Sequence, residues 1–171
     1  MAVPHEGLCL PWDRCYKAPH NRRLGLDAYT EPGRVCFLTI RAHAGLSPFT
    51  NDQLNTVVLT ALHDSCAKDG CDVYTYCLMP DHLHLLVAPR LAGSSVLTFA
   101  DRFKGRATRA SWAAGWEGRL WQPRYHDHVL RAGEDVLHVA TYILANPVRR
   151  GLVASPEDWP WSGELVPLPL P

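Results

Sequence analysis

Two histidines, His82 and His84, stand one residue apart inside the apolar run YCLMPDHLHLLVAPR. Because the side chains of a strand alternate between its two faces, both imidazoles are expected to share one face with Leu86. Two imidazoles at this spacing can converge on a single metal ion. Imidazoles that are buried without a metal need hydrogen-bond partners instead. The spacing alone leaves a metal site and a pair of structural histidines as alternatives, and it slightly favours the structural pair.

A second pair with the same spacing, His126 and His128, lies in the segment YHDHVLR. The apolar and polar residues of this segment alternate less cleanly, which is typical of a strand at the edge or rim of a sheet. Histidines at such a rim contact water and need no ligand role. Metal binding is therefore the less favoured interpretation of this pair.

A site with two histidines needs an oxygen ligand if it is to hold a divalent ion that acts on phosphate oxygens. The segment TYILANPV offers one, because Tyr142 and Asn146 are four residues apart and would share one face of a helix. Asn146 could give its amide oxygen to the ion while the phenol of Tyr142 points at the substrate. Taken alone, a tyrosine on a helix is more typical of core packing with its hydroxyl at the edge.

The first half of the chain predicts the elements that carry the histidines. Residues 34–42 are rich in β-branched and aromatic residues, which is typical of a strand. A helix is predicted to begin with a capping box at Thr50 and to end at Gly70. Strands are then predicted over 71–79 and 82–88, joined by a tight turn.

The second half predicts the elements that carry the tyrosine. A helix is expected to begin near Ser94 or Ser95, because apolar residues follow at helical spacing. A strand is predicted over 123–131 and a helix over 134–145, ended by an Asn-Pro pair. The order β-α-β-β-α-β-α indicates an α+β fold, a ferredoxin-like antiparallel sheet with helices packed on it.

The chain of 171 residues is long enough for one domain with a sizeable core. Residues 1–33 show no clean periodicity and are interpreted as an irregular N-terminal arm. Residues 34–162 are predicted to form the catalytic domain, and residues 163–171 an irregular tail. No apolar run approaches the roughly 20 residues that a membrane helix needs, and the N-terminus does not resemble a secretory signal. A cytoplasmic protein without membrane contact is expected.

The six cysteines include no C-x-x-C pair, and a chain of this size needs no disulfide framework. Reduced thiols in the core are the favoured interpretation, with a structural zinc as the minor alternative. Charge is unevenly distributed although the net charge is zero: the segment from Arg102 to Arg150 has nine basic and four acidic residues. A neutral protein with one basic segment can still bind a polyanion.

The quoted segments together resemble a known family. YCLMPDHLHLLV resembles the histidine–hydrophobe–histidine (HUH) motif of single-tyrosine transposases, in which Met-Pro and an acid or amide precede the first histidine. LWQPRYHDHVLR and EDVLHVATYILANPVRRGLV are similar to the block that carries the catalytic tyrosine. RRLGLDAYTEPGRVCFLTIRA and DWPWS resemble the entry and tail of one branch, the REP-associated tyrosine transposases. The resemblance spans roughly Arg22 to Ser162.

This resemblance implies an HUH endonuclease fold and a role for each matched residue. His82 and His84 are implied metal ligands, Asn146 the third ligand and Tyr142 the nucleophile. The implied cofactor is Mg²⁺ or Mn²⁺. The implied reaction cleaves and rejoins single-stranded DNA next to a hairpin, such as a repetitive extragenic palindrome (REP), through a 5′-phosphotyrosine. The resemblance favours a monomer, while the sequence leaves monomer and homodimer open.

Basic and aromatic residues are candidates for DNA contacts. The basic candidates lie on the N-terminal arm, on the second helix and after the catalytic tyrosine: Arg22, Arg23, Arg102, Lys104, Arg106, Arg109, Arg149 and Arg150. Trp112, Trp116 and Trp121 could stack on unpaired bases, although core packing is favoured for each. Three other functions are weighed: a hairpin-binding module without catalysis, a metal-dependent phosphoesterase without a covalent step, and a structural zinc protein.

Overall fold

A computed structural model describes residues 24–131 and 135–169 of the chain. The described part contains five strands and four α-helices, which confirms the predicted α+β fold. In chain order they are β1 (Cys36–Arg41), α1 (Asp52–Lys68), β2 (Cys71–Met79), β3 (His82–Pro89), α2 (Val96–Ala113), β4 (His126–Val129), α3 (Val136–Leu144), α4 (Asn146–Arg149) and β5 (Ser162–Glu164).

The strands form one antiparallel sheet with the order β4-β1-β3-β2-β5. The first four strands with α1 and α2 make the ferredoxin-like β-α-β-β-α-β unit. β3 is the central strand, and every residue from His82 to Pro89 is buried. The central position explains the nearly continuous apolar sequence of β3, since both of its faces are covered.

The two faces of the sheet have different partners. Leu83, Leu85 and Val87 lie on the face that packs against α1 and α2, and this face holds the larger core. His82, His84 and Leu86 lie on the opposite face, which we call the histidine face. α3 covers part of the histidine face, where Ala140 and Ile143 pack against a second, smaller group of buried side chains.

Helix caps explain where the helices begin. Ser95 caps α2 as predicted, because its hydroxyl accepts the Leu97 N–H at 3.3 Å. The capping residue of α1 is Asn51, and the prediction of Thr50 was wrong by one residue. The Asn51 side chain accepts the Leu54 N–H at 3.0 Å, whereas the Thr50 hydroxyl donates to the Ser47 carbonyl at 3.2 Å. Both residues are good caps, so the sequence could not decide between them.

The last helical region differs from the prediction in two ways. Asp135 caps α3 by accepting the Leu137 N–H at 2.9 Å, so the helix begins later than residue 134. The Asn-Pro pair does not end the helical path, because residues 146–149 form the short α4 directly after α3. Pro147 is tolerated there because the first turn of a helix leaves its N–H groups unbonded.

The ends of the domain also differ from the prediction. Residues 26–29 form a 3₁₀ helix, and Tyr29 is buried in the larger core while its hydroxyl donates to Asp127. Residues 162–164, predicted within irregular chain, pair with β2 as β5. β4 is shorter than predicted, at residues 126–129. The described parts of the predicted arm and tail therefore belong partly to the folded domain.

Two further expectations concern the membrane and the cysteines. Within the described residues, no helix combines the length and the apolar character that crossing a bilayer requires. Cys36, Cys66, Cys71 and Cys77 are free thiols, as expected for reduced cysteines. Cys9 and Cys15 lie outside the described residues.

A charged clamp joins the C-terminal end of α1 to α2. The carboxylate of Asp69 is only 2% exposed and accepts hydrogen bonds from Arg106 and, at 3.2 Å, from Arg102. Arg106 also donates to the Ser65 hydroxyl at 2.9 Å. The hydrogen bonds from Arg106 hold the pKa of Asp69 below its usual range. A buried carboxylate must keep such partners, so the clamp is structural.

The Arg106→Gln substitution is expected to lower the free energy of unfolding by about 2 to 3 kcal/mol, because it removes charge-assisted hydrogen bonds from a buried carboxylate. Urea denaturation measures this loss. Lys68→Gln is the control, since the pair of Lys68 and Asp64 is exposed and its loss should cost less than about 1 kcal/mol. Equal losses in the two variants would contradict a structural clamp.

Candidate functional site

The imidazoles of His82 and His84 touch each other on the histidine face. Their Nε2 atoms are 3.0 Å apart, and their rings meet nearly edge to face at 4.5 Å between centroids. Each ring has a further partner on its Nδ1 atom: Asp81 Oδ1 lies 2.7 Å from His82, and Thr39 Oγ1 lies 3.0 Å from His84. The four side chains form one hydrogen-bonded row from Asp81 to Thr39.

The hydrogen-bonded row determines which nitrogen of each imidazole carries the proton. An ionised carboxylate only accepts hydrogen bonds, so His82 donates from Nδ1 to Asp81 and its Nε2 accepts. His84 then donates from Nε2 to His82, and its Nδ1 accepts the hydroxyl proton of Thr39. Both imidazoles are neutral in this arrangement, and all of their nitrogens are satisfied.

Burial and neighbouring charges keep the pair neutral. Burial lowers the pKa of His84 well below its ordinary value, and the positive charges of Arg41, Arg150 and Arg149 lower it further. Burial also lowers the pKa of His82, although Asp81 opposes this shift. Burial disfavours ionisation of Asp81, but the hydrogen bond from His82 and the nearby positive charges of Arg150 and Arg41 together outweigh it and hold the pKa of Asp81 below its usual range. Both buried imidazoles are thus neutral, and they lie beside an ionised carboxylate.

Phe37 links the histidine pair to Tyr142. Its ring lies 5.3 Å from that of His84 and, edge to face, 6.5 Å from that of Tyr142. Tyr142 on α3 is half-buried at the margin of the smaller core. The guanidinium of Arg149 lies 4.5 Å from the centre of the Tyr142 ring, a cation–π contact. Phe37 thus connects the rings of His84 and Tyr142 within one chain, and Arg149 contacts the same tyrosine ring.

Asn146 is buried at the junction of α3 and α4. Its amide nitrogen donates to the carbonyls of Tyr142 at 2.9 Å and of Ile143 at 3.2 Å. These bonds satisfy carbonyls at the C-terminal end of α3 and commit the amide nitrogen. The amide oxygen is left as the atom of Asn146 that can act as a ligand.

The predicted DNA-binding residues fall into separate regions. Arg149 lies against the Tyr142 ring, and Arg150 follows it in the chain. Arg22 and Arg23 lie outside the described residues. The basic residues of α2 belong to the helix that packs on the opposite face of the sheet from the histidines. Their contacts with DNA stay a prediction, although the clamp already engages Arg102 and Arg106.

The remaining residues of α2 and the tryptophans also divide. Lys104 donates to the Pro123 carbonyl at 2.8 Å, while Arg109 is exposed. Trp121 packs in the core between Phe49 and Phe103. Trp112 is 52% exposed, and its indole N–H donates to the Gly118 carbonyl at 2.7 Å. Core packing thus explains Trp121, while Trp112 keeps an open ring face for stacking.

The second histidine pair occupies the edge strand, as predicted. His126 lies opposite Thr39 and His128 opposite Phe37, so both belong to the histidine face. Burial lowers the pKa of His126. Within residues 24–131 and 135–169, no three side chains of His, Cys, Asp or Glu are grouped so that they could hold a metal. Any ion at His82 and His84 would need oxygen ligands of another kind.

Thr39, Phe37 and Arg41 were missed in the sequence, and Asp81 was seen only as a turn residue and as the acid that precedes the first histidine of the motif. The register of β1 against β3 places Thr39 opposite His84 and Arg41 opposite His82. That register depends on the packing of the whole sheet and is not visible in the local sequence. The signal for Asp81 was its position directly before His82.

Comparisons with known proteins show which family the chain is similar to. The family model described as "Transposase IS200 like" matches residues 47–146, which is more than half of the chain. A "Putative REP-associated tyrosine transposase" of Haemophilus influenzae is 27% identical over 140 residues, which cover 76% of this chain and 79% of that relative. A "REP-associated tyrosine transposase" of Escherichia coli is 29% identical over 91 residues, which cover 53% of each chain.

A solved structure shares the fold. It is titled "Structure of the REP associates tyrosine transposase bound to a REP hairpin" and superposes with a TM-score of 0.68 at 24% identity. The match covers 84% of this chain and 81% of that one. Identity at this level shows the fold and carries no residue roles.

The Thr39→Val substitution is expected to destabilise the protein by about 1 to 3 kcal/mol, because it leaves the buried Nδ1 of His84 without a partner. Thr60→Val is a matched control, since the Thr60 hydroxyl donates to a carbonyl on the exposed side of α1. Urea denaturation compares the two, and Thr39→Ser should restore most of the loss. Similar stabilities of the two valine variants would refute the hydrogen-bonded row.

Stability is expected to fall as the pH drops from 7 to 5 in the presence of a chelator. The unfolded histidines take up protons near pH 6.5, whereas His84 and His82 have lowered pKa values and stay neutral when folded. His84→Gln should flatten this dependence, and His63→Gln, on the exposed side of α1, should not. Urea denaturation at several pH values measures it; a His84→Gln curve parallel to the wild-type curve would count against buried neutral histidines.

Proposed function

The chain belongs to the IS200-like transposase family, and from this premise we propose that it cleaves and rejoins single-stranded DNA beside hairpins. Tyr142 is the proposed nucleophile, and His82 and His84 are the proposed ligands of a divalent ion. The observation that carries the proposal is the contact of two neutral imidazoles on one sheet face, with Phe37 between them and the tyrosine.

The donor set fits a divalent ion. Two nitrogen ligands that each lie about 2.1 Å from one ion at a right angle are about 3.0 Å apart. The Nε2 atoms of His82 and His84 have this separation. Metal ligands must be unprotonated, which the lowered pKa values favour, and a carboxylate behind a histidine ligand is a common supporting contact. Asn146 would add its amide oxygen.

Binding of an ion requires one proton to move within the chain. His84 would transfer its proton from Nε2 to Nδ1, and the Thr39 hydroxyl would turn from donor to acceptor. A threonine hydroxyl can do both, so no buried group loses its partner. When bound, Mg²⁺ or Mn²⁺ supplies Lewis-acid polarisation of the scissile phosphate. Imidazole also suits Zn²⁺, Co²⁺ or Ni²⁺, so the ligands alone do not select the ion.

Tyr142 carries the proposed bond exchange. Its phenol oxygen forms a bond to phosphorus, and the bond from phosphorus to the 3′ oxygen breaks. The phenol proton is lost to solvent, and the departing 3′ oxygen takes one up, so the products are a 5′-phosphotyrosine and a free 3′-hydroxyl. The ester retains the bond energy, and a second 3′-hydroxyl can reverse the step without ATP. Arg149 would hold the phenol ring in position.

One chain can supply the whole site. Phe37 contacts His84 and Tyr142 of the same chain, so the tyrosine need not come from a partner. This contact supports cleavage by a monomer with its own tyrosine. The hairpin part of the proposal is supported by the relatives, one of which is titled as bound to a REP hairpin. Exposed Trp112 is a candidate platform for an unpaired base.

A catalytically inactive hairpin-binding module is the second candidate function, since affinity for a hairpin does not require cleavage. It predicts DNA binding without a covalent adduct. A phosphoesterase that uses water instead of Tyr142 predicts cut DNA without an adduct. The covalent intermediate therefore distinguishes all three activities.

Tyr142→Phe is expected to abolish formation of a covalent protein–DNA adduct, because the substitution removes the attacking oxygen. The substrate is a 3′-labelled oligonucleotide with a hairpin and randomised single-stranded flanks, incubated with Mn²⁺ and separated on a denaturing gel. The 3′ label is needed because the tyrosine retains the fragment with the 5′ phosphate. His82→Ala and a chelator should each reduce the adduct by at least about 100-fold.

Tyr125→Phe is the matched control, because the Tyr125 hydroxyl donates to the Leu97 carbonyl at 3.4 Å, among residues that pack with α2 on the far face. It should form the adduct at the wild-type level. Cut DNA in Tyr142→Phe would favour the phosphoesterase instead. Binding without cleavage in the wild-type protein would favour the hairpin-binding module.

A further inference from the structure

Arg41 is an exposed arginine on the histidine face that the sequence did not single out. It lies opposite His82 in the register of β1 and β3, so its side chain projects from the same face as the imidazoles. Its Nη1 atom lies 3.9 Å from Asp81 Oδ2, while Oδ1 of the same carboxylate lies 2.7 Å from His82 Nδ1. One carboxylate thus separates the guanidinium from the histidine pair.

The backbone of Arg41 is held by hydrogen bonds in the sheet, while its guanidinium is exposed to solvent. The Gln122 N–H donates to the Arg41 carbonyl at 2.9 Å, and the Ala42 N–H donates to the Asp81 carbonyl at 2.8 Å. The Arg41 side chain is 57% exposed. A fixed stem with a solvated head suits a group that must meet a ligand at a constant place.

The ion pair with Asp81 does not explain Arg41 as a structural residue. At 3.9 Å the pair lies at the limit of an ion pair, and exposed pairs contribute at most about 1 kcal/mol. A guanidinium has five N–H donors. Among the residues that the structure describes, Asp81 is its only charged partner, so most of those donors face solvent. The clamp at Asp69 shows the contrast, because Arg106 there bonds a buried carboxylate and a hydroxyl.

The charges near the histidine pair also point to an anion. Arg41 lies on β1 opposite His82, and the exposed Arg149 at the end of α4 lies 4.5 Å from the centre of the Tyr142 ring, with the exposed Arg150 next to it in the chain. Asp81 is the carboxylate on which the charges of Arg41 and Arg150 act, and it already accepts a hydrogen bond from His82. The excess positive charge at this rim is what a phosphate requires.

We propose that Arg41 binds the backbone phosphate next to the cleaved phosphate in the DNA strand. Two N–H groups of its guanidinium would bond two oxygens of that phosphate, and this bidentate contact would replace the weak pair with Asp81. This inference rests on the proposed function, because it takes single-stranded DNA as the ligand. The planar guanidinium matches two phosphate oxygens, and such charge-assisted bonds are the stronger ones. Arg41 would hold the strand across the histidines while Tyr142 approaches from α3.

The test measures binding in a Tyr142→Phe background, which prevents cleavage. The probes are a fluorescent dT20 oligonucleotide and a hairpin with a dT12 flank, titrated at several salt concentrations. Arg41→Gln is expected to weaken binding of both probes by about 10-fold and to reduce the slope of log Kd against log salt by about 1. Arg41→Lys should keep the slope but recover only part of the affinity.

Arg90→Gln is the matched control. Arg90 follows the far end of β3, is 46% exposed, and pairs with Asp72 at 3.5 Å, so it resembles Arg41 in everything except its distance from the histidines. The Arg90→Gln variant should bind both probes with a Kd within twofold of that of the parent Tyr142→Phe protein. Melting temperatures establish that each variant is folded.

Equal affinities of Arg41→Gln and Arg90→Gln would overturn the proposal for Arg41 and leave the proposed function standing. A weaker Arg41→Gln with an unchanged salt slope would also overturn it, because a phosphate contact must change the slope. If the parent protein binds neither probe, the proposed function fails together with the proposal.

Discussion

The hydrogen-bonded row from Asp81 to Thr39 is the constraint on which the rest of the site depends. Two imidazoles in contact on a buried strand cannot both be charged, and neither can be left without partners. Asp81 and Thr39 satisfy the outer nitrogens, so the inner nitrogens are free to face each other at 3.0 Å. The same arrangement that makes the histidines stable in the protein brings together the two nitrogens that the proposed metal site would use.

The sheet imposes this constraint because its two faces have different packing partners. Leu83, Leu85 and Val87 hold β3 in the larger core, and this burial fixes the alternate residues on the opposite face. A slip of one residue would exchange histidines for leucines. α3 then covers only part of that face, which keeps Tyr142 half-buried at the margin. The larger core thus lies on one face, and the other face, which α3 covers in part, holds the residues of the proposed site.

Most of the fold was predictable, because β3, α1 and α2 have the clear periodicities of a central strand and two amphipathic helices. His82, His84 and Tyr142 were chosen as candidates because they stand in recognisable motifs, and their chemical roles stay a prediction. Thr39 was not, because its role depends on a pairing between strands 45 residues apart in the chain. β5 was missed for a similar reason: three residues carry too little pattern, and only their pairing with β2 makes them a strand.

The arginines show why a basic segment in a sequence is a weak guide to a nucleic-acid surface. Arg106 and Arg41 are the same residue type, and each has an aspartate as partner. Asp69 is almost fully buried and must keep its arginines, whereas Asp81 is 30% exposed and already has a histidine partner. The burial of the carboxylate decides which arginine is held in a structural ion pair and which one could bind a phosphate. A count of charges along the sequence cannot show this difference in burial, because it arises only when strands and helices pack together.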